Sequence, residues 1–276
     1  MQPLLRELAE AYSSRYEHVS FDFSPVGSSA GLEALRRGNA ELALVSRRLL
    51  REEEYDSRRS GTDAESRRGG MEYLYGSQAQ TGQRLLAYSV IAQDGIAVVV
   101  HDSNPLRELS LYQLRNIFDG QTASWDELGG PATEITVASR EDGSGTRTVF
   151  EEKVMYGRRV TPTAIVMPGS QAVRDYVATH EGAIGYLSMG YLGPGIATMA
   201  IDKVRPERKT VDDGTYPVGA GWSTYPITRP FLLVSRVEPD AEVQSFMEFC
   251  QSPVGQAIVG RAYPAEAGWS TYGHPD

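Results

Sequence analysis

An α/β fold of two lobes with mainly parallel sheets is what this sequence predicts, and three observations carry the prediction. Strand-like and helix-like segments alternate along the chain. Twice, a strand-like run ends in a glycine- and serine-rich turn that opens directly into a helical pattern, which suggests one such turn per lobe. The 276 residues also exceed the roughly 250 at which a single core stops growing.

The elements follow in order. Residues 1–12 place Leu4, Leu5, Leu8 and Ala9 on one face of an amphipathic helix. Residues 19–25 (VSFDFSP) alternate apolar and polar, as a half-buried strand does, and run into Gly27-Ser28-Ser29-Ala30-Gly31 at the start of a helix ending near Gly38. The apolar run 42–45 ends in Ser46-Arg47-Arg48, at the carboxyl end of a strand. Residues 56–83 hold little that can pack into a core and read as a surface insertion, with a short hairpin at 71–75. Runs 85–90 and 96–100 read as two strands around the turn signal Asp94-Gly95. Leu111, Leu114, Ile117 and Phe118 have helical spacing, closed by Gly120. Strand 135–138 leads into Arg140-Glu141-Asp142-Gly143-Ser144-Gly145-Thr146, and Val149, Phe150 and Val154 continue as a helix. A helix at 171–178, strands at 183–187 and 231–234, and a last helix near 243–259 complete the pattern. The segment AGWSTY occurs at 220–225 and again at 267–272; two copies do not make a repeat architecture.

Composition removes several classes of function. Hydrophobic residues at 41% and charged residues at 23% are those of a folded globular chain, and no apolar stretch reaches the roughly 18 residues of a membrane-spanning helix. A net charge of −9 gives no overall field to gather nucleic acid, so any anion site must be made locally. The lone Cys250 has no partner for a disulfide or a CxxC motif and lies in the apolar series Phe246, Met247, Phe249, Cys250, as a buried residue does. The four histidines are scattered, with no HExxH pair, so no metal site is expected. GxGxxG and GxxxxGK[ST] are absent, so no nucleotide cofactor is expected; Ser144 does not sit in GxSxG, and no nucleophile-base pair can be named.

What remains is anion chemistry. A helix amino end offers unpaired N–H groups and the positive end of its dipole, and Ser28, Ser29, Ser144 and Thr146 add hydroxyls to two such ends. Gly31 and Gly145 leave room for close approach to the backbone, and the planar fork of Arg140 suits two oxygens of a phosphate or sulfate. Serine and threonine at helix starts are equally ordinary N-caps, worth about 1 kcal/mol each. The second loop, with an arginine four residues before Ser144, points beyond capping.

Gly27-Ser28-Ser29-Ala30-Gly31, Ser46-Arg47 and the element running from Arg140 through Ser144-Gly145-Thr146 to Phe150 resemble the phosphate-binding subunit of bacterial phosphate ABC transporters. Gly182-Ala183-Ile184-Gly185-Tyr186 and residues 224–230 (TYPITRP) are further echoes. The resemblance implies a type II periplasmic-binding-protein fold: lobe one from 1–98 and 228–276, lobe two from 99–227, and a ligand cleft between them. It implies no enzymatic activity and no cofactor. The implied ligand residues are Ser28, Ser29, Ser46, Arg47, Arg140, Ser144, Gly145 and Thr146, with inorganic phosphate as ligand and a membrane permease of an ABC transporter as partner. A monomer on the periplasmic or extracellular face of the membrane is expected.

Two departures qualify the resemblance. Many family members begin with a strand and a further Gly-Ser-Thr or Gly-Ala-Thr loop before the first helix. Here neither that strand nor an export signal precedes residue 1, and a late start accounts for both absences. Some members have an aspartate at position 47 that accepts the proton of hydrogen phosphate, whereas Arg47 can only donate. Selection of phosphate over sulfate therefore does not follow from this position. Sulfate or a molybdate-like ion, a phosphate-ester enzyme, and a ligand-free interaction protein of the same fold stay open as alternatives.

Overall fold

The computed structural model describes residues 2–49, 72–73, 86–207, 211 and 225–262. The insertion expected at 56–83 lies outside them except for Glu72–Tyr73, and so do the two AGWSTY segments except for Tyr225. Helices in chain order are α1 (Gln2–Ser13), α2 (Ser28–Arg37), α3 (Leu111–Phe118), α4 (Gly145–Lys153), α5 (Ser170–Val177), α6 (Ala241–Gln251) and α7 (Pro253–Ala262). Strands are β1 (Leu42–Val45), β2 (Glu72–Tyr73), β3 (Leu86–His101), β4 (Glu108–Leu109), β5 (Thr136–Arg140), β6 (Ile165–Met167), β7 (Ala183–Ser188), β8 (Ile196–Thr198), β9 (Ala200–Ile201) and β10 (Thr228–Arg236).

One strand organises both lobes. The first part of β3, Leu86 to Gly95, pairs with β10, which in turn pairs with β1; from Ile96 onward β3 pairs with β7 and, at its end, with β8. The main sheet therefore runs β1-β10-β3-β7-β5-β6 without a break between lobes. Sequence reading divided β3 into two strands because Asp-Gly is a strong turn signal. The chain instead passes straight through, since Asp94 stands directly opposite Arg229 on β10 and the two charges satisfy each other inside the sheet.

The α/β character holds, but parallel pairing is the minority. Among the described residues only β5 with β6, β5 with β7, and β4 with β9 are parallel; β1, β2, β3 and β10 form antiparallel ladders, as do β3 with β7 and β8. Counting alternating strands and helices predicts crossovers, yet a strand shared by two lobes takes neighbours that return from both sides. Residues 19–25 form no ladder among the described residues, although their burial does alternate. Phe21 packs on Phe246, 4.6 Å between ring centroids, so the alternation records side-chain packing on one face rather than backbone pairing. The last predicted helix is two, because Ser252 leaves the helical conformation before Pro253, whose ring cannot continue the i→i−4 ladder.

Cores form on both faces of the first lobe's sheet. Along β10, Phe231 and Leu233 join one apolar cluster while Leu232 and Val234 join another, the period-2 alternation of a strand covered on both sides. Leu32 and Leu35 of α2, with Ala43 and Val45 of β1, make the smaller cluster; full burial of each leucine is worth roughly 1.5–3 kcal/mol. Tyr12 of α1 meets Phe246 and Phe249 of α6 edge-on at 5.3 Å each in the larger one. In the second lobe Phe150 and Tyr186 stack with nearly parallel rings 3.9 Å apart, and Phe118 packs tilted against both. These packings aim the amino ends of α2 and α4 at one another.

Candidate functional site

The two glycine- and serine-rich turns touch. A Cβ on Gly27, which precedes α2, would stand 2.7 Å from the backbone oxygen of Gly143 in the loop before α4. A Cβ on Gly145 would run into the hydroxyls of both Ser28 and Ser46. Glycine is thus required at these places for close approach of the backbones.

Each hydroxyl has a defined setting. Ser28 is in the first turn of α2, and its Oγ accepts the Ser46 N–H at 3.1 Å and lies 3.3 Å from Ser46 Oγ. Ser29, more exposed, accepts a hydrogen bond at 3.3 Å from Nη2 of the buried Arg47. Ser46 and Arg47 stand just past the carboxyl end of β1, where the strand delivers them to the same place as the helix start. Ser144 is a true N-cap, accepting the Arg147 N–H at 3.4 Å. Inside α4 the N–H groups of Gly145 and Thr146 have no carbonyl four residues back, as at every helix start.

The guanidinium groups complete the cluster. Arg140, at the end of β5, uses Nε and Nη2 on Glu141 at 2.7 Å each and sends Nη1 to Thr146 Oγ1 at 3.3 Å and Ser170 Oγ at 3.1 Å. Its backbone N–H donates at 3.2 Å to the Tyr186 hydroxyl, which also lies 2.8 Å from Ser139 Oγ. Tyr186 thereby fixes the strand end that carries Arg140, and burial pushes its phenol up to about 12.

Arg229 reaches the same point from β10 of the other lobe. Its Nη1 donates to Thr146 Oγ1 at 2.7 Å and to the Ser46 carbonyl at 3.2 Å. Its Nε and Nη2 donate to Asp94 Oδ2 at 2.9 and 2.7 Å, and Ser188 Oγ donates to Asp94 Oδ1 at 3.0 Å. Arg229 and Asp94 are almost wholly enclosed, at 1% and 0% side-chain exposure. Burial pushes the Asp94 carboxyl above the ordinary carboxylate value, while Arg229 and Ser188 pull it back. Orphaning either member of such a pair costs on the order of 3–5 kcal/mol.

All eight residues singled out in the sequence, Ser28, Ser29, Ser46, Arg47, Arg140, Ser144, Gly145 and Thr146, fall in this one cluster. Sequence reading missed Arg229, Asp94, Ser170 and Ser188. Asp94 within β3 and Arg229 near the start of β10 are charged residues in strands, but only the register between those strands pairs them. Among the described residues no group of three or more His, Cys, Asp or Glu side chains is placed to hold a metal ion. No described helix is long and apolar enough to cross a membrane.

Comparison with known proteins agrees with this architecture. Residues 1–254 match a family model described as a PBP superfamily domain. A Clostridium perfringens structure described as a phosphate ABC transporter substrate-binding protein with bound phosphate is 32% identical. Its TM-score is 0.77, over 95% of this chain and 93% of that one. An ABC-type phosphate transport receptor from Vibrio cholerae superposes with a TM-score of 0.67 at 26% identity, covering 94% of this chain and 93% of that one. The Bacillus subtilis phosphate-binding protein PstS is 28% identical over 226 residues, 82% of this chain and 66% of the relative's length. The chain therefore belongs to the PBP superfamily and, within it, to the PstS-like family.

Proposed function

We propose that this chain is the substrate-binding protein of a phosphate ABC transporter, a non-enzymatic receptor that captures inorganic phosphate between its lobes. One observation carries the proposal: two helix amino ends meet where the buried guanidinium groups of Arg140 and Arg229 converge on Thr146 from opposite sides, with that of Arg47 on the neighbouring Ser29. Arg140 and Arg229 already hold carboxylates, and a tetrahedral oxyanion offers enough lone pairs to accept from the helix-end N–H groups and the serine and threonine hydroxyls together. Charge-assisted hydrogen bonds of about 1.5–3 kcal/mol each then offset the loss of phosphate hydration.

Ser28, Ser29, Ser46 and Arg47 bind from lobe one, comprising 1–98 and 228–276, and Arg140, Ser144, Gly145 and Thr146 from lobe two, 99–227. Contacts from both sides exist together only when the lobes are closed, so binding shifts the hinge equilibrium toward the closed form. That form, as a monomer on the outer face of the membrane, is what a permease recognises. The names of the relatives and the phosphate held by the Clostridium protein support this function.

Calorimetric titration of the chain with phosphate, in the presence and absence of sulfate at matched ionic strength, is the direct test. Saturable binding that sulfate does not displace is expected. Absence of heat with phosphate overturns the proposal, and preferential binding of sulfate reassigns the receptor to another tetrahedral oxyanion, as Arg47 in place of a proton acceptor would allow.

A further inference from the structure

We propose that Arg229, held by Asp94, is a positioning residue for anion capture: reaching across from β10, it fixes the Thr146 hydroxyl of α4 as a pure hydrogen-bond donor to the ligand. The inference rests on the phosphate-receptor function above and adds to it a residue that acts through Thr146 and not as a ligand itself. Both hydrogens of Arg229 Nη1 are spent on protein oxygens, Thr146 Oγ1 at 2.7 Å and the Ser46 carbonyl at 3.2 Å. Its Nε and Nη2 donate to Asp94 Oδ2, so the guanidinium is neutralised where it stands. Ser188 Oγ holds the other carboxylate oxygen at 3.0 Å. Arg229 is thus a brace that joins the end of β1 to the first turn of α4.

The brace decides what Thr146 can do. Its Oγ1 also accepts from Arg140 Nη1 at 3.3 Å. A hydroxyl has two lone pairs and one proton, so with both lone pairs filled, by arginines from β10 and β5, the group can only donate. Thr148 shows what a helical threonine otherwise does with its proton: Oγ1 donates to the Ser144 carbonyl four residues back, at 3.1 Å. Among the described residues no group accepts the Thr146 proton in that way. Thr146 lies in the first turn of α4, beside N–H groups that have no carbonyl partner, so proton and N–H groups are open to the same anion. With Arg229 gone, a lone pair of Thr146 is released and the hydroxyl can turn to accept; binding energy is then spent on turning it back.

The test is a mutant cycle read by calorimetry with inorganic phosphate: wild type, Thr146→Val, Asp94→Asn/Arg229→Gln, and all three substitutions together. The paired substitution removes both buried charges and so orphans neither. Thr146→Val should weaken phosphate binding about thirtyfold, and the paired variant about tenfold. The combined variant should lie within about threefold of Thr146→Val alone, because a residue that acts through a hydroxyl has nothing to act on once the hydroxyl is gone. A merely structural role for Arg229 predicts the product instead, about three-hundredfold. That outcome, or wild-type affinity in the paired variant, overturns the inference and leaves the receptor function standing; a wild type that binds no phosphate removes both. In the wild type itself, saturation with phosphate should slow the exchange of the Thr146 hydroxyl proton with water, as followed by NMR. A proton that still exchanges freely also overturns the inference.

Discussion

The two glycine- and serine-rich turns look alike in sequence but are held in different ways. The turn before α4 is organised from within its own lobe: Ser144 caps the helix, Glu141 fixes the Arg140 fork, and Tyr186 pins the backbone of Arg140. The turn before α2 has glycine as its N-cap with no side-chain cap, and its serines are held by Ser46 and Arg47 at the end of a separate strand. A preformed half and a half assembled from two segments meet across the cleft. The difference teaches that similar loop sequences can be fixed in different ways, one by a side-chain cap and a carboxylate of the loop itself, the other by the residues that end a separate strand.

The largest expected effect breaks that approach. At Gly27 the backbone has φ −69°, which alanine adopts freely, but the added Cβ meets the Gly143 carbonyl, a backbone group that cannot yield. Gly27→Ala should leave the melting temperature within a few degrees of wild type and weaken phosphate binding by at least a hundredfold, about 2.7 kcal/mol, by calorimetry. Tyr186→Phe attacks the preformed half. It removes the hydroxyl serving Ser139 and the Arg140 N–H, and should cost about 1–3 kcal/mol of stability in denaturant unfolding, with roughly tenfold weaker binding. Ser144→Ala removes the cap together with one of the proposed ligand hydroxyls, and the loss of the cap should cost about 1 kcal/mol of stability.

The smallest effect at neutral pH concerns one ionisable group in each lobe. Burial pushes the Cys250 thiol and the Tyr186 phenol each up to about 12. Because both folded-state values are raised, the stability these groups contribute is complete below their ordinary values of 9.0 and 10.0 and is lost as pH climbs through about 12. Unfolding free energy should therefore show no pH dependence from either group between pH 7 and about 8 and decline in the alkaline range. Alkylation of Cys250 by iodoacetamide at pH 8 should proceed only at the rate of unfolding; rapid labelling of the native protein would contradict its burial.

Much of the site was legible because its chemistry is local. Ser28, Ser46, Arg140 and Thr146 stand where a strand ends or a helix begins, and those boundaries are written in glycines and apolar periodicity. Arg229 and Asp94 were not, since their meaning depends on a register between strands 135 residues apart. The same non-locality hid the continuity of β3: a buried ion pair can keep a strand running through residues that in isolation favour a turn. Residues 19–25 show the converse, where alternation marked a packed face correctly but not a hydrogen-bonded neighbour.

The uninterrupted passage of β3 from Leu86 to His101 has a consequence for modularity. Neither lobe is an excisable unit, because a cut at Gly95 would sever the strand that they share and separate Asp94 from the second lobe's Ser188. Exchanging lobes between relatives at that point would ask one continuous strand to accept a seam. A chimera that keeps β3 and β10 from one parent, and grafts the remainder of the second lobe between them, respects the hydrogen bonds that make the two halves a single object.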